Sequence, residues 1–331
     1  MPDISVVICT YNGEARLPQV LEKLRSQQPD CRWEIVVVDN NSQDRTAAVV
    51  AKFQHSWRTD VPLRYCFEAE QGLAFARRRA IREVRSPLIG FLDDDTWPDS
   101  NWVGAAVHFG QQHPEAGAYG SSIEGVYETT PPPNFERIAC CLAIVNRGNQ
   151  PFRYSSAQGV LPAGAGMVIR RRAWLTQVPT KPALAGVRAG SLKAKGEDVE
   201  TLTYIRQAWA IWHNPAMKLH HVIPKERLER DYLLNLFWQI GLSRYPLRRL
   251  RYRRWQWPFI VPIYFLNDLR KSCWHLSRRL LMRKFETVEA CEFALLLGSS
   301  LSPFFYRRRP LPTEPILNAI SFPMIIGQHL L

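Results

Sequence analysis

The sequence predicts an α/β fold: a mostly parallel, Rossmann-like sheet flanked by helices, followed by a basic, aromatic-rich helical C-terminal region. Three observations predict it. Apolar runs of strand length alternate with segments of helical period over the first 113 residues. These runs are nearly uninterrupted by polar residues, as strands buried on both faces of a parallel sheet must be. Near Lys225 the chain changes to helical stretches crowded with Arg, Trp, Tyr and Phe.

Each element can be justified in turn. Residues 4–9 are a continuous β-prone run ending in the turn signal Thr10-Tyr11-Asn12-Gly13. Residues 17–27 carry Leu17, Val20, Leu21 and Leu24 at helical spacing. Residues 34–38 form a second strand ending at Asp39-Asn40-Asn41-Ser42, and 44–53 read as a helix capped by Ser42 or Asp44. Residues 63–67 give a third strand, and 73–84 a helix carrying Arg77, Arg78 and Arg79. Residues 88–92 give a fourth strand, directly followed by Asp93-Asp94-Asp95, and 102–113 another helix. Beyond Pro114 the chain is loop-rich at 129–133 and 146–159. It then turns through Ala163-Gly164-Ala165-Gly166 into Met167-Val168-Ile169, is irregular at 181–195, and opens a helix at 198–208.

Composition narrows the class. With 331 residues, 46% of them apolar, the chain can bury one large domain plus an appendage, and wholesale disorder is excluded. The net charge of +13 is concentrated in 225–309, where 18 basic residues face 7 acidic ones. Such a basic, aromatic segment suits an anionic partner: membrane phospholipid, a lipid-diphosphate acceptor or nucleic acid. Scattered, the same charge would be an ordinary solvated surface. Seven cysteines without a Cys-x-x-Cys pair argue against a disulfide framework or zinc module and fit a reducing cytoplasm. The N-terminus has neither a charged n-region nor an apolar run of signal length. No stretch of 18 or more uncharged apolar residues occurs. Residues 255–267 are short and broken by Pro258 and Pro262, and 288–305 carry Glu289 and Glu292, so both read as interfacial or buried.

Three polar turns should share one crevice, because open parallel sheets bind ligands beyond the carboxyl ends of their strands. These turns are Thr10-Tyr11-Asn12, Asp39-Asn40-Asn41 and the acid triplet. Three adjacent carboxylates repel one another, which suggests a cation of the Mg²⁺ or Mn²⁺ type; a solvated acidic turn is the plainer alternative. In extended chain Asp93 and Asp95 point to one side and Asp94 to the other. Asp39 could accept hydrogen bonds from a base or ribose, or simply close an Asx turn. Arg77 could reach a diphosphate, or lie on a solvated helix face. Gly196-Glu197-Asp198 could supply a general base, or cap a helix. His220-His221 could touch metal or diphosphate, or be structural.

Taken in order, these pieces resemble the family 2 glycosyltransferases. The matching residues are Val6-Val7-Ile8-Cys9-Thr10-Tyr11-Asn12, Ile35-Val36-Val37-Val38-Asp39-Asn40-Asn41-Ser42, the helix from Gly72 to Arg77, Phe91-Leu92-Asp93-Asp94-Asp95, Gly164-Ala165-Gly166-Met167-Val168-Ile169-Arg170 and Gly196-Glu197-Asp198. The resemblance implies a GT-A fold and a bacterial enzyme of surface-polysaccharide synthesis, most similar to the cyanobacterial hormogonium-polysaccharide glycosyltransferases. Residues 1–225 would be the catalytic domain, with a nucleotide-binding half at about 1–113 and an acceptor half at 114–225. Residues 226–331 would be a helical, membrane-associating tail. The resemblance further implies that Thr10, Tyr11, Asn12, Asp39 and Asn41 hold the nucleoside, that Arg77 supports the diphosphate, and that Asp94, Gly166 and Glu197 line the nucleotide-sugar. Asp95, with Asp93 and His221, would hold Mn²⁺ or Mg²⁺, and Asp198 would be the catalytic base. The partners implied are a nucleotide-sugar, a saccharide or lipid-linked saccharide and an anionic membrane surface at the inner face of the cell membrane, with no nucleic acid.

Two departures stand out. Arg77-Arg78 replaces the Arg-Asn pair common in the family, and no Gln-x-x-Arg-Trp motif of processive synthases occurs. The latter favours one sugar per encounter. Two rivals were weighed. A dinucleotide oxidoreductase needs Gly-x-Gly-x-x-Gly after the first strand, where Thr-Tyr-Asn-Gly stands instead. A non-catalytic protein binding nucleic acid or membrane would explain the basic tail but leave the acid triplet unused.

Overall fold

The structure, a computed structural model, describes residues 1–155, 160–181, 184, 195–282 and 286–307. The irregular segments expected at 146–159 and 181–195 therefore lie partly outside the described residues, as does the end of the tail from 308. The elements in chain order are β1 (Ile4–Thr10), α1 (Leu17–Arg25), β2 (Trp33–Asp39), α2 (Thr46–His55), β3 (Leu63–Phe67), α3 (Leu73–Glu83), β4 (Leu88–Asp93), β5 (Thr96–Pro98), α4 (Trp102–Gln112) and β6 (Ala116–Tyr127). There follow β7 (Phe152–Arg153), β8 (Met167–Arg170), α5 (Arg171–Gln177), α6 (Glu197–Ile205), β9 (Ala210–Ile223), α7 (Arg230–Arg249), α8 (Trp257–Met282) and α9 (Thr287–Arg307).

Every residue of β1 and β2 is buried, which is why both runs are apolar throughout. They form one compact unit with the rest of Met1–Val126, Ala143–Val178 and Tyr204–Ile223. The sheet order is β3-β2-β1-β4-β8-β6-β9-β5, with β7 paired to β9. Pairings among β1, β2, β3 and β4 are parallel, as the sequence predicts. From β4 outward the pairings with β8, β6, β9 and β5 that carry a register are antiparallel, so the sheet as a whole is mixed. The helix expected from Asp44 begins at Thr46. The Asp44 carboxylate accepts the Thr46 N–H at 3.0 Å, while the Ser42 hydroxyl accepts the N–H of Asn12 at 2.9 Å and so caps nothing.

The second compact unit comprises Tyr127–Leu142, Pro179–Thr203 and Pro224–Leu331. A boundary at 225 thus does not coincide with the compact units, since 127–142 and 179–203 group with the C-terminal helices. Here α7 and α9 cross where Gly241 meets Gly298: a Cβ on Gly298 would sit 2.4 Å from the Trp238 carbonyl oxygen, and one on Gly241 2.4 Å from that of Leu295. Asp268, buried on α8, accepts Arg248 at 2.7 and 3.2 Å and the Ser299 hydroxyl at 2.6 Å. Arg137 binds buried Glu292 at 2.6 Å.

Two expectations for this unit are corrected. Helix α8 runs unbroken through Pro258 and Pro262. Pro258 occupies the first turn, where no N–H is needed, and Pro262 forfeits one bond on an exposed face. The arginines from 244 to 251 are also not a surface array. Arg248 is paired with Asp268 and stacks on Tyr264 at 4.2 Å, and Arg249 lies 3.5 Å from the Trp257 ring. Burial pushes Arg244 down to about 10 and lowers Arg251 as well. By length and composition alone, Thr287–Tyr306 of α9 could cross a membrane, with a mean hydropathy of 1.2; half of that window is buried.

The Gly241–Gly298 crossing leaves no room for a side chain against facing backbone. We expect Gly298→Val to destabilise this unit by at least about 3 kcal/mol, the upper range of core overpacking. The urea midpoint of the helical circular-dichroism signal measures this. A midpoint within error of the parent would show that the helices can separate freely.

Candidate active site at the acidic crevice

The acid triplet ends β4 and turns back at once. The Thr96 hydroxyl donates to the Asp93 carbonyl at 2.8 Å and accepts the Asp93 N–H at 3.1 Å. That turn feeds β5, whose Thr96 lies opposite His221 of β9, and the Val222 N–H donates to the Asp95 carbonyl at 3.0 Å. The pairing brings His221 Nε2 to 3.4 Å from Asp95 Oδ1, both side chains nearly closed from solvent. His220 faces the other way and meets Asp99 at 2.9 Å.

Asp94 is held elsewhere. It accepts the Thr10 hydroxyl at 2.6 Å and a forked pair from Arg16 at 2.8 and 2.9 Å. Arg16 also donates to the carbonyl of half-buried Tyr11 at 3.1 Å. The Asp93 carboxyl is pushed up to about 6, by burial first and by repulsion from Asp95 second; Arg77 and His221 oppose the rise. Arg77 is 3% exposed and lies over the Phe91 ring at 5.5 Å, whereas Arg79 turns to Glu83 at 2.8 Å on the helix surface.

At the end of β2, Asp39 Oδ1 accepts the Ser42 N–H at 2.9 Å, closing an Asx turn, and Oδ2 accepts the Tyr65 hydroxyl at 2.8 Å. Burial, then this bond, pushes Tyr65 up to about 12, so it remains a donor at neutral pH. Asn40 donates to the carbonyls of Glu68 and Glu70 and accepts the Gly72 N–H at 2.7 Å. It thereby fixes where α3 begins, and with it Arg77. Asn12 and Asn41 take left-handed φ values of 48° and 64°, which Asn tolerates better than most residues. Asn12 accepts the Gln43 N–H at 2.8 Å, tying the turn after β1 to the turn after β2.

Gly166 is buried beneath this region at φ 68°. Its N–H donates to the Phe91 carbonyl, and a Cβ would fall 2.1 Å from Leu219. Its surroundings are thus packed side chains. Glu197 and Asp198 belong to the second unit. There Glu197 and Glu200 are buried, Glu200 accepts the Leu184 N–H at 2.7 Å, and Asp198 is partly exposed. Nearby Lys195 is pushed down to about 8 by burial first and Arg227 second.

Thr10, Asp39, the acid triplet and His221 therefore lie at or near strand ends of the first unit's sheet, and Arg77 lies on α3 of the same unit. Among the described residues, no group of three or more His, Cys, Asp and Glu side chains is arranged to hold a metal ion. What exists is partial: Asp95 and His221 are in contact, and Asp93 lies near enough to feel the charge of both. This is a donor set that Mg²⁺ or Mn²⁺ accepts when phosphates and water complete the shell. Burial first and repulsion from Asp95 second raise the Asp93 carboxyl, and a divalent cation would oppose both, so the chemistry of these residues suits such an ion. A concavity of about 780 Å³ along α1 and α2, lined by Lys23, Lys52, Phe53 and Trp97, lies apart from these residues and has no part in the site.

Sequence reasoning missed Arg16, Asn40, Tyr65 and Thr96. Arg16 carried a signal: it stands at the N-cap of α1, where the helix dipole disfavours a cation, so a carboxylate partner was to be expected. Asn40 and Tyr65 act through contacts distant in sequence, and Thr96 through a tight turn with Asp93 that carries no Gly, Pro or Asn signal.

The family model described as Glycosyl transferase family 2 matches residues 5–176, more than half of the chain. An uncharacterized glycosyltransferase YfnE of Bacillus subtilis (strain 168) is 35% identical over 92 residues, covering 28% of this chain and 22% of that protein. Glycosyltransferase AglE of Haloferax volcanii is 32% identical over 109 residues, covering 32% of this chain and 35% of that protein. The matched segments thus span only about a fifth to a third of these relatives. Among solved structures, the mannosyltransferase PcManGT from Pyrobaculum calidifontis, in complex with GDP-Man and Mn²⁺, superposes with a TM-score of 0.56 at 16% identity, covering 92% of this chain and 87% of that one. The fold is GT-A.

A carboxyl whose folded value, about 6, exceeds the unfolded value of ~3.9 stabilises nothing when charged. Its contribution is fully present below pH ~4 and is lost as pH rises through 6, up to about 3 kcal/mol at most. We expect Asp93→Asn to raise the melting temperature of metal-free protein at pH 8 and leave it unchanged at pH 4. Equal shifts at both pH values would mean that the buried, crowded charge of Asp93 is not the cause.

Proposed function

This chain belongs to glycosyl transferase family 2, and on that premise we propose that it moves a sugar from a nucleoside-diphosphate-sugar to a hydroxyl of a polysaccharide or lipid-linked saccharide, with inversion at the anomeric carbon. The observation that carries the proposal is the meeting of Asp95 and His221 beside Asp93, whose charge also feels buried Arg77 of α3, at the strand ends that present Asp39. Open α/β sheets bind nucleotides at such ends. Support for a nucleotide-sugar and a divalent ion comes from the mannosyltransferase of similar fold, solved with GDP-Man and Mn²⁺.

In this reading Asp39, Thr10, Tyr11, Asn12 and Asn41 hold the nucleoside. Asp39 presents acceptors already oriented by Ser42 and Tyr65. Arg77 contributes fixed positive charge toward the diphosphate. Asp95, Asp93 and His221 hold Mn²⁺ or Mg²⁺, which when bound stabilises charge on a leaving diphosphate. Asp198, the partly exposed carboxylate of its group, takes the proton of the acceptor hydroxyl. The acceptor oxygen then bonds to the anomeric carbon as the bond to the diphosphate breaks, and the nucleoside diphosphate departs. One displacement gives inversion and needs no covalent enzyme intermediate. Residues 1–225 carry catalysis and 226–331 face the membrane on the inner side, where a lipid-linked acceptor of surface-polysaccharide synthesis would be presented.

Two outcomes test this. A nucleoside diphosphate should raise the melting temperature only with Mn²⁺ or Mg²⁺, and Asp95→Ala should abolish the rise. Stabilisation by RNA or DNA without metal, falling steeply with salt, would instead mark a non-catalytic binder. Asp198→Asn should lower sugar transfer about 10²–10⁴-fold while keeping the metal-dependent rise. Full activity in that variant would remove Asp198 from the chemistry.

A further inference from the structure

We propose that the exposed apolar face of α8 is the surface that seats this protein on an anionic phospholipid bilayer. The inference deepens the membrane partner proposed above by naming the element that makes contact, distinct from the arginines at 244, 248, 249 and 251, which are half-buried. Between residues 255 and 269 the only charged side chain is Asp268, which is buried against Arg248 and Ser299. The solvent side of that stretch is apolar: Phe259 is 65% exposed, Ile263 43% and Leu266 61%. Their spacing of four and three residues puts them on one stripe of the helix.

Trp255 and Trp274, 66% and 64% exposed, flank the stripe. The span between them is about 28 Å of helix. Indole rings favour the boundary between headgroups and acyl chains. The apolar ground continues onto α9, where exposed Phe304 meets Phe265 edge-on at 6.2 Å and Leu301 is 47% exposed. An exposed apolar stripe of this kind on a folded protein marks an interaction surface.

Charge at the rim selects the occupant. Arg253 and Arg254 are exposed just before the stripe and Arg270 just after it, and no acidic side chain within 253–277 is exposed. A second copy of the chain would set arginines against arginines in either orientation, parallel or antiparallel. Anionic headgroups around a shallowly inserted apolar helix satisfy both parts of the surface.

The test uses the full chain and co-sedimentation with vesicles of phosphatidylglycerol mixed with phosphatidylcholine, against phosphatidylcholine alone, at low salt. We expect binding to the anionic vesicles, a loss of about tenfold or more in F259S/L266S, and a loss of similar size in R254E/R270E that is confined to the anionic vesicles. The melting temperature and the Mn²⁺-dependent nucleotide response, both measured without vesicles, should be unchanged in both variants. If wild type ignores anionic vesicles, or F259S/L266S binds them as well as wild type, the proposal fails. It also fails if F259S/L266S turns a dimer into a monomer, which makes the face a subunit contact, or melts several degrees lower, which makes it an internal packing surface. A wild-type protein that binds vesicles but shows no nucleotide response would sink the glycosyltransferase reading and leave the docking face standing.

Discussion

The crevice depends on where Asp94 points. Three consecutive carboxylates cannot share one cavity without strong mutual repulsion. Thr10 and Arg16 draw Asp94 to the β1 side, which separates it from Asp93 and Asp95. The pair is only partly shielded, with the Arg16 side chain 44% exposed, so its contribution to stability is about 1 kcal/mol or less. Its larger effect is orientational. It fastens the turn after β1 to the end of β4 and leaves two carboxylates to face His221.

That orientation would achieve little without the antiparallel half of the sheet. Parallel strands deliver Thr10, Asp39 and the acid triplet to one edge, because βαβ units repeat in register. They cannot deliver His221. It arrives because Thr96 closes a tight turn, β5 pairs with β9, and the Val222 N–H is spent on the Asp95 carbonyl. Three residues of edge strand therefore determine the third donor of the proposed metal set. Asn40 plays the matching part on the other side, binding Gly72 so that α3 starts where Arg77 can bury itself against Phe91.

The sequence made some of this readable. Each of the first four strands is an apolar run followed by a polar turn, and both features are local, so the elements and their shared crevice could be read residue by residue. The β5–β9 pairing could not. A strand as short as Thr96–Pro98 has no periodicity, and its partner lies far along the chain. Helix α8 was misread for a related reason: proline signals a break, yet the cost depends on whether its turn faces solvent, and Pro262 does. Composition likewise reports how many arginines there are and is silent on which way they turn.

The arginines of the second unit and the aspartates of the first are both crowded like charges, and the contrast explains why only one of them points to a ligand. A guanidinium can lie flat on an aromatic ring, and Arg248 and Arg249 do so on Tyr264 and Trp257. Cations crowded beside those rings need only one carboxylate, Asp268, among them. A carboxylate has no such recourse, since the face of a π-system repels it. Its options are a hydrogen-bond donor, a cation, or a proton. Asp94 has the first two, supplied by Thr10 and Arg16. Asp93, despite Arg77 and His221 nearby, holds a proton more readily than an ordinary carboxylate, and a divalent ion would compete with that proton.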